Sequence, residues 1–428
     1  MTALPQPPLV LSFEDARHIV EEHAARLRAR SKELVDLLDC RGRILAENIA
    51  ADRNFPPFRR AARDGYAVLA ADLAQTPASL TVIGEIKAGA APEEIPALQP
   101  GQAAAIMTGA PAPVGADAVV MVEYTSRKGD LVEITRGIDA GGNIVAVGAE
   151  AKRGARLLSP GMKLDYAAIS VAASVGRVHL LVYAKPRVAV LATGDEIVDI
   201  DLSPGPNQIR NSNSYSLAAQ VQAAGGEPVL LPVAPDEPNR LRELIADGLE
   251  MDLLLLAGGV SMGKYDLVEQ VLAELQSEFF FTGAQIQPGK PVVFGRVPCG
   301  AGAPARDSSE KRVTDEFKYF FGLPGNPVST MVTFELFARP VLEALAGSTP
   351  RKLVFLHAKL KSEVRTKLGL KRFLPAILSG EFEQAEVELA RWQGSGDIAA
   401  LALANCYIVI PPDRESIPAG EWVPVLMR

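Results

Sequence analysis

Between Lys185-Pro186 and Ala346 the chain alternates strand-sized apolar runs with helical repeats, and this alternation constrains the fold more than any other feature. Val188–Ala192 is continuously apolar; after a polar loop, a helical pattern covers Asn213–Ala224 and stops at Gly225-Gly226. Pro228–Val233 reads as a second strand, and Leu241, Leu244, Ile245 and Leu249 mark the inner face of a second helix. Leu253–Ala257 is a third strand, followed by a helix over about Asp266–Leu275. Pro291–Phe294 and Tyr319–Gly322 supply further strands, and Val328–Ala346 the last helix. Runs apolar on both faces and separated by helices predict a doubly wound, mostly parallel sheet.

The flanks have other textures. Ser12 caps a helix with Asp15 at the acidic capping-box position, and Ile19, Val20, Ala24 and Leu27 recur at helical spacing. From Ala51 to Gly148 short β-like runs (Leu80–Ile83, Ala103–Met107, Ala118–Glu123, Leu131–Ile134) are divided by Gly and Pro, which predicts a small mostly-β domain. A helix is expected over Gly161–Gly176. After Pro350 short strands return at Leu353–Leu360, Phe373–Leu378, Glu386–Arg391 and Cys406–Ile410, predicting a C-terminal β domain. A chain of 428 residues is too long for one ordinary core, which agrees with several domains.

Bulk numbers exclude some function classes. A net charge of −7 argues against a broad nucleic-acid surface, so any anionic ligand must be held locally by backbone amides and a few cations. Three scattered cysteines, Cys40, Cys299 and Cys406, predict a reduced, cytoplasmic setting without a disulfide framework. No apolar run approaches the ~20 residues a membrane span needs, and the N-terminal residues lack the pattern of a signal peptide. The four histidines are scattered, and there is neither a G-x-S-x-G elbow nor an H-E-x-x-H helix.

In an open α/β sheet, ligands bind at the carboxyl ends of the strands. The loops there read Thr193-Gly194-Asp195-Glu196, Gly258 to Asp266, and Gly322-Leu323-Pro324-Gly325-Asn326-Pro327. Pro288-Gly289-Lys290-Pro291 precedes its strand, so it must fold back to the same edge. Glycines admit backbone N–H groups close to a phosphate, and Asp195, Glu196 and Asp266 are the hard ligands Mg²⁺ takes. Asp266 reads equally as a helix cap, and Asp236, taken alone, reads more readily as a cap than as a ligand. Gly258–Lys264 fits the start of a P-loop, but Tyr265 stands where that motif needs Ser or Thr, and the segment follows the third strand of its domain.

Taken together, these loops resemble the molybdopterin molybdenumtransferase family. The resemblance extends from Ser12 to about Val425 and includes Asp64-Gly65-Tyr66-Ala67-Val68, Met107-Thr108-Gly109-Ala110-Pro111, Asn211-Ser212-Asn213, Gly394-Ser395 and Ala404-Asn405. It implies an elongated homodimer of four parts. These are a split helical and extended domain (residues 10–50 and 149–184), a mostly-β domain (51–148), a molybdopterin-binding α/β domain (185–346) and a C-terminal β-barrel (350–428).

The implied reaction inserts molybdate into adenylylated molybdopterin with Mg²⁺ and releases AMP. By resemblance Asp64, Thr108, Glu196, Asp236 and Asp266 take part in catalysis, with Glu196 and Asp266 near the metal. Asp64 and Thr108 reach in across the dimer. Substrate would be held by Thr193, Gly194, Asp195, Ser212, Asn213, Gly258, Gly259, Val260, Ser261, Gly263, Pro288, Gly289, Lys290, Pro291, Pro324, Gly325, Asn326, Pro327 and Ser329. Transient contacts with molybdopterin adenylyltransferase and with acceptor molybdoenzymes follow from the same resemblance.

The chain departs from the family at four places. Ala61-Ala62-Arg63 replaces Ser-Ala-Met, Val145 stands where Arg is usual, Gln287 where a basic residue is frequent, and Ala149-Glu150 where Glu-Asp is usual. Arg63 is expected either to take over part of the anion-holding work or to pair with a neighbouring carboxylate. Two other readings stand beside the transferase: the related adenylyltransferase step, and a diverged molybdopterin-binding scaffold like the eukaryotic relative gephyrin.

Overall fold

The computed structural model describes residues 9–29, 31–259, 267–299, 317–391 and 393–428. Ser12 Oγ accepts the N–H of Asp15 at 3.1 Å and donates to its carboxylate at 2.7 Å, so helix α1 (Phe13–Arg26) begins at the expected cap. Its apolar stripe (Phe13, Ala16, Val20, Ala24) joins the core beneath the α/β sheet, where the Phe13 ring packs on Phe337 and Phe373.

Two segments far apart in sequence pair with one another: Lys32–Asp36 runs antiparallel to His179–Tyr183, and Ile49–Ala50 to Arg156–Leu158. Helix α2 (Tyr166–Ser174) closes a small core of Cys40, Leu45, Leu164, Leu180 and Val182. It is shorter than the expected 161–176, because Asp165 caps it by accepting the N–H of Ala168. The β region is one six-stranded sheet with two strands the sequence reading lacked, Gly65–Val68 and Thr125–Lys128. Gly65 lies so close to its neighbour strand that a Cβ would sit 1.8 Å from the Val120 carbonyl oxygen.

The α/β unit follows the alternation. Its elements are β1 (Arg187–Ala192), α3 (Ser212–Ala223), β2 (Glu227–Leu230), α4 (Pro238–Leu249), β3 (Leu253–Ala257), α5 (Leu267–Glu274), β4 (Glu278–Phe281), β5 (Val293–Pro298) and β6 (Phe317–Leu323). The strand order is β2-β1-β3-β6-β5-β4. The first four strands are parallel; β5 and β4 are antiparallel to their neighbours. Alternate residues of β1 feed separate cores, Val188 and Val190 on the face with α1 and α3, Ala189 and Leu191 on the face with α4 and α5.

The final helix expected over 328–346 is broken into α6 (Pro327–Thr333), a π-turn (Phe334–Ala338) and α7 (Arg339–Leu345). Pro340, which lacks an N–H, sits at the second position of α7.

The C-terminal strands Phe355–Leu360, Lys371–Ser379, Glu386–Leu389, Cys406–Ile410 and Trp422–Met427 pair in a closed ring of five. Ile286–Gln287 pairs with Lys371–Arg372 and ties this barrel to the α/β unit.

Candidate functional site

The carboxyl ends of the parallel strands are laced together by main-chain bonds. Thr193 N–H reaches the Ala257 carbonyl, Gly194 N–H the Ala234 carbonyl, and Gly258 N–H the Leu323 carbonyl, each at 3.1 Å. Three of the expected loops and the segment before Asp236 therefore share one edge. A Cβ at Gly258 would lie 2.8 Å from the Thr193 carbonyl oxygen, and one at Gly259 would lie 2.7 Å from Thr193 Oγ1. Asn211 caps α3 by accepting Ser214 N–H, placing Ser212 and Asn213 in its first turn. Asn213 Nδ2 then donates to the Gly325 carbonyl at 2.6 Å, joining α3 to the Pro324–Pro327 loop.

Several buried polar atoms at this edge have no partner among the described residues: Thr193 Oγ1, Asn213 Oδ1 and Ser214 Oγ. Thr193 is 4% exposed and Asn213 6%. A buried donor or acceptor left unpaired costs about 1–3 kcal/mol, so such a cluster is what a polar ligand would repay.

Beside these atoms stand carboxylates. Asp195 Oδ1 accepts the N–H of Asp236 at 3.1 Å. The Asp236 carboxyl is held above the usual carboxylate range, first by burial of the group and then by the charges of Asp195 and Glu196. Asp236 does not cap α4; the cap residue is Glu237, which makes no side-chain bond there. Val260, Ser261, Gly263 and Asp266 lie outside the described residues. Among the described residues no three His, Cys, Asp or Glu converge on one point.

The Pro288–Pro291 loop folds back as its position requires. Gly289 has φ +106°, and a Cβ there would lie 2.3 Å from Thr333 Cγ2, so this loop packs directly on α6. Gln287, Pro288 and Ser329 face Gln393, Gly394 and Ser395 of the barrel across a cleft of about 460 Å³. Val328 N–H donates to the Ser395 carbonyl at 2.9 Å. Lys290 is exposed beside the cleft. Arg372, 6% exposed, is paired in register with Gln287, and among the described residues its guanidinium reaches only the Leu370 carbonyl, at 3.4 Å. Gln393 in the cleft wall and Arg372 beside Gln287 were missed at the sequence level, because the pairing of segments distant in sequence brings them to this region.

A second constellation lies in the β sheet. Asp64 Oδ1 accepts both the N–H of Thr108 (2.6 Å) and its Oγ–H (2.7 Å), and these bonds pull the Asp64 carboxyl below the usual range. Asn143–Val145 joins the same loops, since Ala62 N–H donates to the Asn143 carbonyl and Val145 pairs with Arg60. Glu150 pairs with Arg60, leaving Arg63 without an ion pair among the described residues. Neither Asp64 nor Thr108 makes a hydrogen bond to the α/β loops among the described residues of the chain.

Similarity to known proteins covers the whole of this architecture. Residues 11–176 match the MoeA N-terminal region (domain I and II), 189–344 a probable molybdopterin binding domain, and 357–427 the MoeA C-terminal region (domain IV). A molybdopterin molybdenumtransferase from Nostoc is 34% identical, the match covering 97% of this chain and 93% of that protein. Molybdopterin molybdenumtransferase 1 of Mycobacterium tuberculosis is 31% identical, with 95% and 98% covered. Two solved structures of molybdopterin biosynthesis MoeA protein from Pyrococcus horikoshii superpose at TM-scores of 0.75 and 0.69, with 28% and 32% identity. Each covers 98% of this chain, and the chain covers 100% and 99% of them. With family models matching all three of its regions and relatives similar over nearly the full length of both chains, the chain belongs to the molybdopterin molybdenumtransferase (MoeA) family.

Proposed function

We propose that the chain is a molybdopterin molybdenumtransferase, which inserts molybdate into adenylylated molybdopterin and releases AMP. The observation that carries this reading is the edge at Thr193, Asn213 and Gly258-Gly259. Buried polar atoms without partners among the described residues lie there beneath a glycine turn packed on Thr193, and Ser329, beyond the Pro324–Pro327 loop, lines a polar cleft that can take an oxyanion. Cleaving a phosphoanhydride asks mainly for positioning and charge neutralisation rather than a covalent nucleophile. The pterin end of the substrate would satisfy Thr193 Oγ1 and Asn213 Oδ1, with Gly194, Asp195, Ser212, Gly258, Gly259 and Pro324–Pro327 walling the site.

Molybdate is a dianion in a protein of net charge −7, so it needs donors close at hand. Gln287, Ser329, Gln393 and Ser395 line one cleft that can provide them, and the buried Arg372 is paired in register with Gln287 at its edge. Lys290 would neutralise phosphate or molybdate from the rim, and Arg63 adds a cation beside Asp64.

Burial, and after it the charges of Asp195 and Glu196, raise the Asp236 carboxyl; a divalent cation would relieve that charge crowding, and the donors are the hard oxygens that Mg²⁺ prefers. Glu196 and Asp266 would hold Mg²⁺, which when bound supplies charge neutralisation at the phosphoanhydride. Asp64 and Thr108 are assigned to the site of a second copy in a homodimer. Contacts with an adenylyltransferase and with acceptor molybdoenzymes belong to the same reading. Among the described residues no helix is long and apolar enough to cross a membrane. The match extends over both flanking regions, which the adenylyltransferase step does not require, so the transferase reading is preferred.

The test is AMP release from adenylylated molybdopterin, with and without molybdate and Mg²⁺, for wild type and Glu196→Gln. Release that molybdate stimulates and that collapses in the variant is expected. A folded wild-type protein that releases no AMP under any of these conditions sinks the proposal.

A further inference from the structure

Helix α6 carries Ser329 to the cleft, and its continuation is irregular for an identifiable reason. In an α-helix the carbonyl of residue 336 accepts the N–H of residue 340. Residue 340 is proline, so the Leu336 carbonyl, on a fully buried residue, loses that donor. The donor comes instead from another element: Arg17 of α1 gives an Nη1–H to this carbonyl.

Arg17 is itself only 6% exposed, among the apolar residues Phe13, Ala16, Val20 and Ala24 of its helix. Packing alone asks for an aliphatic side chain there. The guanidinium is kept in place by Glu21, whose Oε1 accepts Nε–H at 2.8 Å. The rest of the π-turn is braced too. Arg339 bonds Glu335 at 2.7 Å and Glu343 at 2.9 Å, while Gln220 of α3 donates to Glu335 at 2.8 Å and to the Met331 carbonyl at 3.0 Å. On the cleft side, the Thr333 methyl fills the space that a Cβ at Gly289 would need, and Ser329 lines the wall. From Ser329 to Leu336 is about 10 Å along the rod.

We propose that Arg17 is a positioning residue for the oxyanion cleft. By supplying the donor that Pro340 withholds, it fixes the π-turn and with it the depth at which Ser329 and Thr333 sit against Pro288-Gly289. π-Turns inside helices recur at functional sites, where they set side chains that a regular helix would misplace. The inference rests on the cleft being the molybdate site proposed above.

The experiment measures molybdate binding to the full chain by calorimetry, alongside the molybdate dependence of AMP release and thermal unfolding. Arg17→Met is expected to weaken molybdate binding about tenfold and the milder Arg17→Lys about threefold, with kcat at saturating molybdate nearly unchanged. Pro340→Ala returns an N–H to residue 340, so the double variant with Arg17→Met is expected to recover the lost affinity. Unchanged molybdate affinity in Arg17→Met and Arg17→Lys, whatever happens to their melting temperatures, reduces Arg17 to a packing role and overturns the proposal. Should Arg17→Met not fold, Arg17→Lys decides alone. Wild-type protein that binds no molybdate removes the cleft reading, and this inference with it.

Discussion

Thr193 follows β1 with a hydroxyl that no group bonds among the described residues, directly beneath a Gly-Gly turn that leaves it room. A residue kept for stability would be valine here, which has the same shape without the buried oxygen. Thr193→Val is therefore expected to hold or raise the melting temperature, by up to about 1–3 kcal/mol of relieved desolvation, while weakening adenylylated molybdopterin. Equal substrate affinity in the two proteins would mean the hydroxyl meets no ligand.

Asp236 poses an electrostatic question at the same scale. Its carboxyl lies above the usual range because of burial and of Asp195 and Glu196. A raised acid favours the folded state most while protonated, and that contribution fades as pH climbs through the ordinary value toward the raised one. Asp236→Asn is thus expected to stabilise metal-free protein at about pH 8 and to change little at about pH 3. Equal shifts at both pH values would exclude a raised Asp236 carboxyl.

Elements were legible where local physics decides them. β3 is apolar on both faces and keeps its expected bounds, Leu253–Ala257; α1 begins at the Ser12 cap that its side chain makes. Signals failed where their usual carrier was absent. Strand β4 hid behind α5 because the turn between them uses Gln276, at φ +58°, where glycine would have marked the stop. Pro340 was visible inside the pattern of the last helix, and the break it forces was the readable signal that went unused. For the site, the strand-end loops were legible because sheet topology sends them to one edge. The partnership of Ser329 with Gln393–Ser395 was not, since two segments more than sixty residues apart meet only through the pairing of Ile286–Gln287 with the barrel. Thr193's missing partner was equally hidden, because spacing says nothing about which hydroxyls remain unbonded.

At the scale of the whole molecule, the assigned residues fall into two groups with no hydrogen bond between them among the described residues. Asp64 and Thr108 bond each other in the β sheet, while Glu196 and Asp236 stand at the α/β edge. Around the paired segments 32–50 and 156–183, Leu34, Leu38, Tyr166 and Val178 are each at least 67% exposed, an apolar surface that a second copy would cover. If each site takes Asp64 from one copy and Glu196 from the other, two inactive variants must complement. Asp64→Asn and Glu196→Gln chains, co-expressed in equal amounts, form mixed dimers in which one site receives both native residues and the other neither. Random pairing then restores about a quarter of wild-type AMP release, although each variant alone is inactive. A site built within one chain has no such route, because every chain in the mixture carries a defect. Activity of the mixture no higher than that of either variant would place Asp64 and Glu196 in one chain's site, and the described geometry would then have to close by movement of the β domain instead.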